Sequence, residues 1–283
     1  MNKLEIQNIG SLIENAFKED IGTGDVTTDA LIPDSMVSTA TMVAKADGTI
    51  AGMDVAEAVF RYLTPQLLWI PHVKDGDQIK KGDLLVEMNG SYRALLSGER
   101  LALNFLQRMS GIATATALYT AQVAEYGTKI LDTRKTVPGL RLLDKYAVKA
   151  GGGENHRIGL YDMVLIKDNH IKVAGGIRNA VEQIRSRVPA GMKIEVETTN
   201  IEEVLEALEM KADIIMLDNM SNETMKICVG IINHRAKVEA SGNMNLERVR
   251  EVAATGVDYI SIGALTHSVT ALDISMNIKK EQN

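Results

Sequence analysis

The chain has 283 residues, of which 45% are hydrophobic and only 4% aromatic, and its formal net charge is −6. This length suffices for one large domain or two, the apolar share excludes a disordered chain, and the negative charge argues against general binding to nucleic acid or anionic membranes. The single cysteine, Cys228, forms no internal disulfide, and no run approaches about 18 apolar residues, so we expect a cytoplasmic protein without a membrane span.

Residues 1–110 predict an N-terminal α/β sandwich domain. Apolar alternation predicts two strands followed by a helix, and two Gly-Asp turns flank a third short extended segment. A long helix from Gly98 to Tyr126, broken near Ser110-Gly111, is expected to connect this domain to the next one. The predicted elements are strands over 39–46 and 48–51, a helix over 55–62, and an extended segment over 78–80.

Residues 111–269 predict an α/β barrel that carries the chemistry. Six short apolar runs alternate with helical periods, which is the pattern of repeated strand-helix units. Six strands fall short of eight, so we expect an open, incomplete barrel, and residues 270–283 are expected to pack on the first domain. The predicted strands end at Leu131, Ile166, Val196, Leu217, Ala240 and Ile262.

The densest group of candidate site residues is basic. Arg134-Lys135 and Lys167 follow two predicted strands, and His156-Arg157 ends the glycine-rich stretch that begins at Gly151. Any one of these cations could be an ordinary solvated side chain. Several cations that converge from separate segments repel each other unless an anion lies between them, so a substrate with more than one carboxylate or phosphate is implied.

A second group is acidic, because Glu197 and Asp218 each stand at a strand end. Paired carboxylates hold a divalent metal, accept sugar hydroxyls, or serve as general acid and base. Capping of the following helices is an alternative role for the polar residues at these positions, and both roles are compatible.

A third group combines glycine with small residues after the last two predicted strands. Ser241-Gly242-Asn243 and Ile262-Gly263-Ala264 stand where barrel enzymes place phosphate-binding loops, and His267 follows four residues after Gly263. Ordinary tight turns are the alternative, and His267 could instead cap the last helix. The chain has no P-loop, no dinucleotide-binding glycine motif, no paired zinc-ligand spacing and no Gly-x-Ser-x-Gly motif.

Several long sequence strings resemble the quinolinate phosphoribosyltransferase family of type II phosphoribosyltransferases. The resemblance runs nearly end to end, and Leu101 departs from a threonine that is common in the family. It rests on residues 19–28, 98–105, 133–141, 151–157, 167–170, 195–197 and 217–220.

The resemblance implies a carboxylating nicotinate-nucleotide pyrophosphorylase, which makes nicotinate mononucleotide from quinolinate and phosphoribosyl pyrophosphate with Mg²⁺. It also implies a homodimer, or a higher oligomer, in which each active site is completed by the neighbouring subunit. Arg134, His156, Arg157 and Lys167 would hold the quinolinate carboxylates, with Arg100 acting in trans. Lys135 would contact pyrophosphate, and Thr133 would also bind substrate. Glu197 and Asp218 would serve ribose and Mg²⁺, directly or through the substrate, and the two glycine loops would bind phosphate.

Two alternatives remain open from the sequence. A related barrel transferase could accept nicotinate or another planar acid, although Arg134, Arg157 and Lys167 exceed what one carboxylate needs. The turns around Gly76 and Gly82 are also similar to those of biotinyl and lipoyl carrier domains, but Met88-Asn89-Gly90 stands where the modified lysine would be expected.

Overall fold

The computed structural model describes residues 9–279, so the ends of the predicted ranges, 1–8 and 280–283, lie outside the described residues. Two compact units are present. Within the described part, the first contains residues 9–115, 138–152 and 269–279, and the second contains residues 116–137 and 153–268. No helix in the described part combines the length and apolar character needed to cross a membrane.

The first unit is an α/β sandwich built on a four-stranded antiparallel sheet in the order β12-β1-β5-β3. Strand β1 buries every second residue, as expected for a sheet with one face on the core. The C-terminal strand pairs with β1, residues 274–278 opposite 44–40, so the end of the chain completes this sheet. Its elements are α1 Gly10–Asp20, α2 Val26–Leu31, β1 Val37–Ala44, β2 Gly48–Thr49, α3 Met53–Leu63, β3 Leu68–Pro71, β4 Gln78–Ile79, β5 Leu84–Ser91, α5 Arg141–Ala150 and β12 Ile274–Ile278.

The long connecting helix is continuous, so the predicted break near Ser110-Gly111 is wrong. Helix α4 spans Tyr92–Val123 without interruption. Glycine is needed at position 111 because an added Cβ would collide with the backbone carbonyl of Thr270. The hydroxyl of Ser110 donates a hydrogen bond to the backbone carbonyl of Ala51 at 3.2 Å. Close packing therefore requires small residues at both positions. In the local sequence, such a Ser-Gly pair looks the same as one that ends a helix.

The second unit is an open α/β barrel with six parallel strands in the order β6-β11-β10-β9-β8-β7. Among the described residues no pairing joins β6 to β7, and all six predicted strands are present. Strands β8, β9 and β10 extend one or two residues beyond their predicted ends because the ladder continues through pairs such as Ser241 with Asp218. The elements are β6 Lys129–Leu131, β7 Val164–Ile166, α6 Asp168–Ala174, α7 Ile177–Arg185, β8 Ile194–Thr198, α8 Ile201–Glu209, β9 Ile214–Asp218, α9 Asn222–Ile232, β10 Lys237–Ser241, α10 Leu246–Ala253, β11 Tyr259–Ser261 and α11 Ala264–His267.

Candidate active site

A cavity of about 810 Å³ lies in the second unit, where the six strands end. Fifteen predicted site residues line it, and Arg100 is the exception, an exposed residue of α4 in the first unit. The fifteen residues are Thr133, Arg134, Lys135, His156, Arg157, Lys167, Glu197, Asp218, Ser241, Gly242, Asn243, Ile262, Gly263, Ala264 and His267.

The basic side chains reach the cavity from three segments. The loop after β6 is held at Lys135, whose backbone N–H donates to Thr133 Oγ1 at 3.1 Å and whose carbonyl accepts from Thr266 Oγ1 at 2.9 Å. Arg157 is held by its Nη1 donor, which lies 3.1 Å from the carbonyl of Met163. Burial and the neighbouring Arg134 lower the pKa of Arg157. This is expected where cations are crowded, and a bound anion would reduce their mutual repulsion.

The segment that carries His156 and Arg157 is anchored at the open edge of the barrel. The backbone of Glu154 forms a parallel bridge with Leu131 beside β6. Two residues later, the backbone N–H of His156 donates to Oδ1 of the fully buried Asp132 at 2.9 Å. Asp132, which directly follows β6, therefore holds the loop of His156 and Arg157 from the protein interior.

The carboxylates Glu197 and Asp218 do not cap the next helices. The N-cap of α8 is Asn200, and that of α9 is Ser221; each side chain accepts a backbone hydrogen bond. Glu197 instead faces Lys167, with Nζ 3.4 Å from Oε2, and Oδ2 of Asp218 accepts from Asn219 Nδ2 at 2.8 Å. Both side chains are therefore available to the cavity.

The two glycine loops make room for site side chains. Gly242 has φ +96°, and an added Cβ would collide with the side chain of Asn219. At Gly263 an added Cβ would lie 2.9 Å from Cδ of Lys135. Because glycine has no Cβ, Asn219 and Lys135 pack directly against the backbone here.

The sequence analysis missed part of the cavity wall. The most informative omission is Glu239, which lines the cavity, together with Glu195 behind the wall; both are fully buried and lie 3.5 and 3.0 Å from Nε2 of His156. Side chains two residues apart in a strand point to the same face, so Glu195 shares a face with Glu197. This alternation is the sequence signal that could have identified Glu195. The other lining residues not predicted are Leu165, Met216, Asn219, Met244 and Ser261.

Burial raises the pKa of both glutamates. For Glu239 desolvation is the largest cause and the negative charge of Glu195 adds to it, so the pKa rises to about 8. For Glu195 desolvation is opposed by the positive charge of Arg157, and the pKa rises to about 7. Burial therefore favours retention of a proton by the pair near neutral pH.

An open barrel with crowded cations and two carboxylates at its strand ends defines an enzyme for a polyanionic substrate. Family profiles agree in detail: "Quinolinate phosphoribosyl transferase, N-terminal domain" matches residues 25–110, and the C-terminal domain of the same family matches residues 112–277. The chain belongs to the quinolinate phosphoribosyltransferase family.

Individual relatives match over almost the whole chain. The probable nicotinate-nucleotide pyrophosphorylase [carboxylating] of Bacillus subtilis is 45% identical, over 98% of this chain and 95% of its own. Quinolinate phosphoribosyltransferase [decarboxylating] 1b of Nicotiana tabacum is 46% identical, over 97% of this chain and 83% of its own. The crystal structure of NadC from Streptococcus pyogenes superposes with a TM-score of 0.96 at 39% identity and covers 99% of both chains.

Proposed function

We propose that this enzyme transfers the phosphoribosyl group of phosphoribosyl pyrophosphate to quinolinate and releases carbon dioxide in de novo NAD biosynthesis. The products are nicotinate mononucleotide, pyrophosphate and CO₂. One observation carries the proposal: Arg134, Arg157 and Lys167 reach one cavity from three segments, and the carboxylates Glu197 and Asp218 line the same cavity. Family membership over both domains supports it.

The cations serve the acceptor. Arg134, Arg157 and Lys167, with His156 beside them, bind the two quinolinate carboxylates, because guanidinium groups match planar carboxylates through paired hydrogen bonds. Three cations suit a diacid better than nicotinate, which has one carboxylate. Binding of this kind orients the ring nitrogen toward the anomeric carbon of the second substrate.

The reaction proceeds by positioning and electrostatic stabilisation. The ring nitrogen of quinolinate forms a bond to the anomeric carbon while the bond to pyrophosphate breaks, and Lys135 stabilises the departing negative charge. The positive pyridinium then stabilises the electron pair left when the adjacent carboxylate departs as CO₂, and that carbon takes a proton. Glu197 and Asp218 bind the ribose hydroxyls, while the loops at Gly242 and Gly263 bind the 5′-phosphate.

The donor atoms around the cavity fit Mg²⁺. Glu197 and Asp218 offer carboxylate oxygens, one oxygen of each being already near Lys167 or Asn219. Mg²⁺ prefers oxygen ligands and usually combines one or two carboxylates with substrate phosphates and water. When bound, Mg²⁺ supplies charge neutralisation for pyrophosphate, and Glu197 and Asp218 are the residues that would hold it, directly or through the substrate.

We further propose a homodimer, or a higher oligomer of dimers, in which Arg100 of one subunit completes the cavity of its partner. The exposure of Arg100 and its place on α4, in a different unit from the cavity, support this role. A cytoplasmic location, expected from the absence of internal disulfides and apolar spans, stays a prediction.

The test is to incubate purified protein with phosphoribosyl pyrophosphate, Mg²⁺ and either quinolinate or nicotinate, while following nicotinate mononucleotide and CO₂. Product and CO₂ from quinolinate alone are expected. Product from nicotinate would reassign the acceptor, and no product from either would overturn the proposed function.

A further inference from the structure

The buried group beneath the cavity contains a histidine whose two ring nitrogens both face the protein. Nδ1 of His156 accepts a hydrogen bond from the backbone N–H of Arg157 at 2.8 Å. Nε2 lies 3.0 Å from Oε2 of Glu195 and 3.5 Å from Oε2 of Glu239. Only 8% of the His156 side chain is exposed, so most of the ring packs against protein groups.

The hydrogen bond to Nδ1 fixes the tautomer. A backbone N–H can only donate, so Nδ1 carries no proton and the ring proton is on Nε2, facing the two glutamates. Protonation of both nitrogens would break the bond to Arg157. His156 is therefore held in one orientation by contacts on both sides of its ring.

Glu195 and Glu239 are both fully buried beside Nε2 of His156. The carboxyl oxygens of Glu195 and Glu239 make no well-aligned hydrogen bond within residues 9–279, and charging both in a buried site is costly. The charged neighbours are Arg157, Lys167 and Glu197 around Glu195, and Glu195 and His156 beside Glu239, with Ser261 as a polar neighbour of Glu239. Nε2 of His156 is the atom that lies close to both carboxyl groups.

We propose that Glu239, together with Glu195, is a positioning residue that locks His156, and that His156 in turn places Arg157 for one carboxylate of quinolinate. This inference rests on the proposed function and deepens it. Glu239 acts through His156, and His156 acts on Arg157, because the Nδ1 bond and the Met163 carbonyl hold Arg157 at its backbone and at its guanidinium.

The direct test is the tautomer of His156 in the unliganded wild-type enzyme, measured from imidazole ¹⁵N chemical shifts with His156→Gln for assignment. We expect an unprotonated Nδ1 and a protonated Nε2 near pH 7. A protonated Nδ1 would overturn the proposal. This measurement needs no turnover, so its outcome is independent of whether quinolinate is the substrate.

The second test compares Glu239→Leu, which removes the polar contact at similar volume, with Glu239→Gln, which mimics the neutral acid. We expect E239L to raise the KM for quinolinate about tenfold or more, with the KM for phosphoribosyl pyrophosphate changed less than about twofold, and E239Q to restore most of the loss. Glu202→Leu, on the exposed start of α8, is the matched control.

The two variants separate positioning from simple stability. Equal increases in both KM values in a folded E239L enzyme, or no rescue by E239Q, would contradict a positioning role. If E239L does not fold, the wild-type tautomer and the KM values of E239Q still test the proposed positioning role. If quinolinate is not converted at all, the KM comparison fails together with the proposed function. The tautomer measurement still tests whether His156 is held in the proposed orientation.

Discussion

Nζ of Lys167 lies 3.4 Å from Oε2 of Glu197. Lys167 follows β7 and is proposed to bind the acceptor diacid, whereas Glu197 is on the neighbouring β8 and is proposed to bind ribose. The two side chains thus connect the part of the cavity proposed to bind the acceptor with the part proposed to bind ribose. With 48% of the Lys167 side chain exposed, their attraction is screened by water and leaves Lys167 available to an anionic ligand.

Replacing Lys167 with methionine should weaken quinolinate binding selectively. Loss of a cation that faces a carboxylate is expected to raise the KM for quinolinate about tenfold or more, with a smaller effect on phosphoribosyl pyrophosphate. Initial rates with each substrate varied in turn measure the split. Lys172→Met is the control because Lys172 lies on α6 outside the cavity. A larger effect on phosphoribosyl pyrophosphate would assign Lys167 to the other substrate.

Gly242→Ala should reduce both stability and phosphoribosyl pyrophosphate affinity. The residue has φ +96° and its new Cβ would displace Asn219, so a loss of about 1–3 kcal/mol is expected. Thermal unfolding and calorimetric binding are the measurements. Gly230→Ala is the matched control: it lies inside α9 with open space at its Cβ and should stabilise by about 0.5–1 kcal/mol. Equal melting temperatures for the two variants would refute the packing argument.

The buried acid Glu239 should make stability depend on pH in a defined direction. Burial raises its pKa from 4.5 to about 8 in the folded state. A raised carboxyl pKa contributes stability below 4.5, and that contribution is lost as pH rises through about 8. Wild type should therefore lose stability between about pH 4.5 and about pH 8, and Glu239→Gln should lose less.

Chemical unfolding at several pH values measures this slope. Glu202→Gln, at an exposed position of α8, should keep the slope of wild type. A slope in E239Q equal to that of wild type would show that Glu239 does not carry the proton.

Mixing inactive Arg100→Ala and Lys135→Ala chains should restore activity if Arg100 acts in trans. Each hybrid dimer then contains one site with both substitutions and one site with neither, so random mixing recovers up to about a quarter of wild-type activity. Rates are measured after subunit exchange, with hybrid formation checked by mass spectrometry of differently tagged chains. Hybrids that form without any activity would show that Arg100 and Lys135 serve the same subunit's site, or that Arg100 has another role.

Much of the fold could be predicted because it depends on local patterns. The six barrel strands appear as short apolar runs that stop on polar residues, and Asn200 and Asn245, residues of a type that often caps helices, cap α8 and α10. The break predicted at Ser110-Gly111 was wrong, since a glycine required by the close approach of Thr270 has the same appearance as one that ends a helix. The pairing of β12 with β1 joins residues more than 200 positions apart, and no local pattern encodes such a contact.

By itself the sequence determined which residues have the chemistry for this site. Runs such as Thr133-Arg134-Lys135 and Glu195-Val196-Glu197 specify charge, and their place after a strand specifies the barrel edge at which they meet. Only the tertiary structure decided which of these charges are buried together. The state of His156, Glu195 and Glu239 depends on distances of 3.0 and 3.5 Å between three separate segments, and desolvation is a property of the packed interior that no single segment possesses.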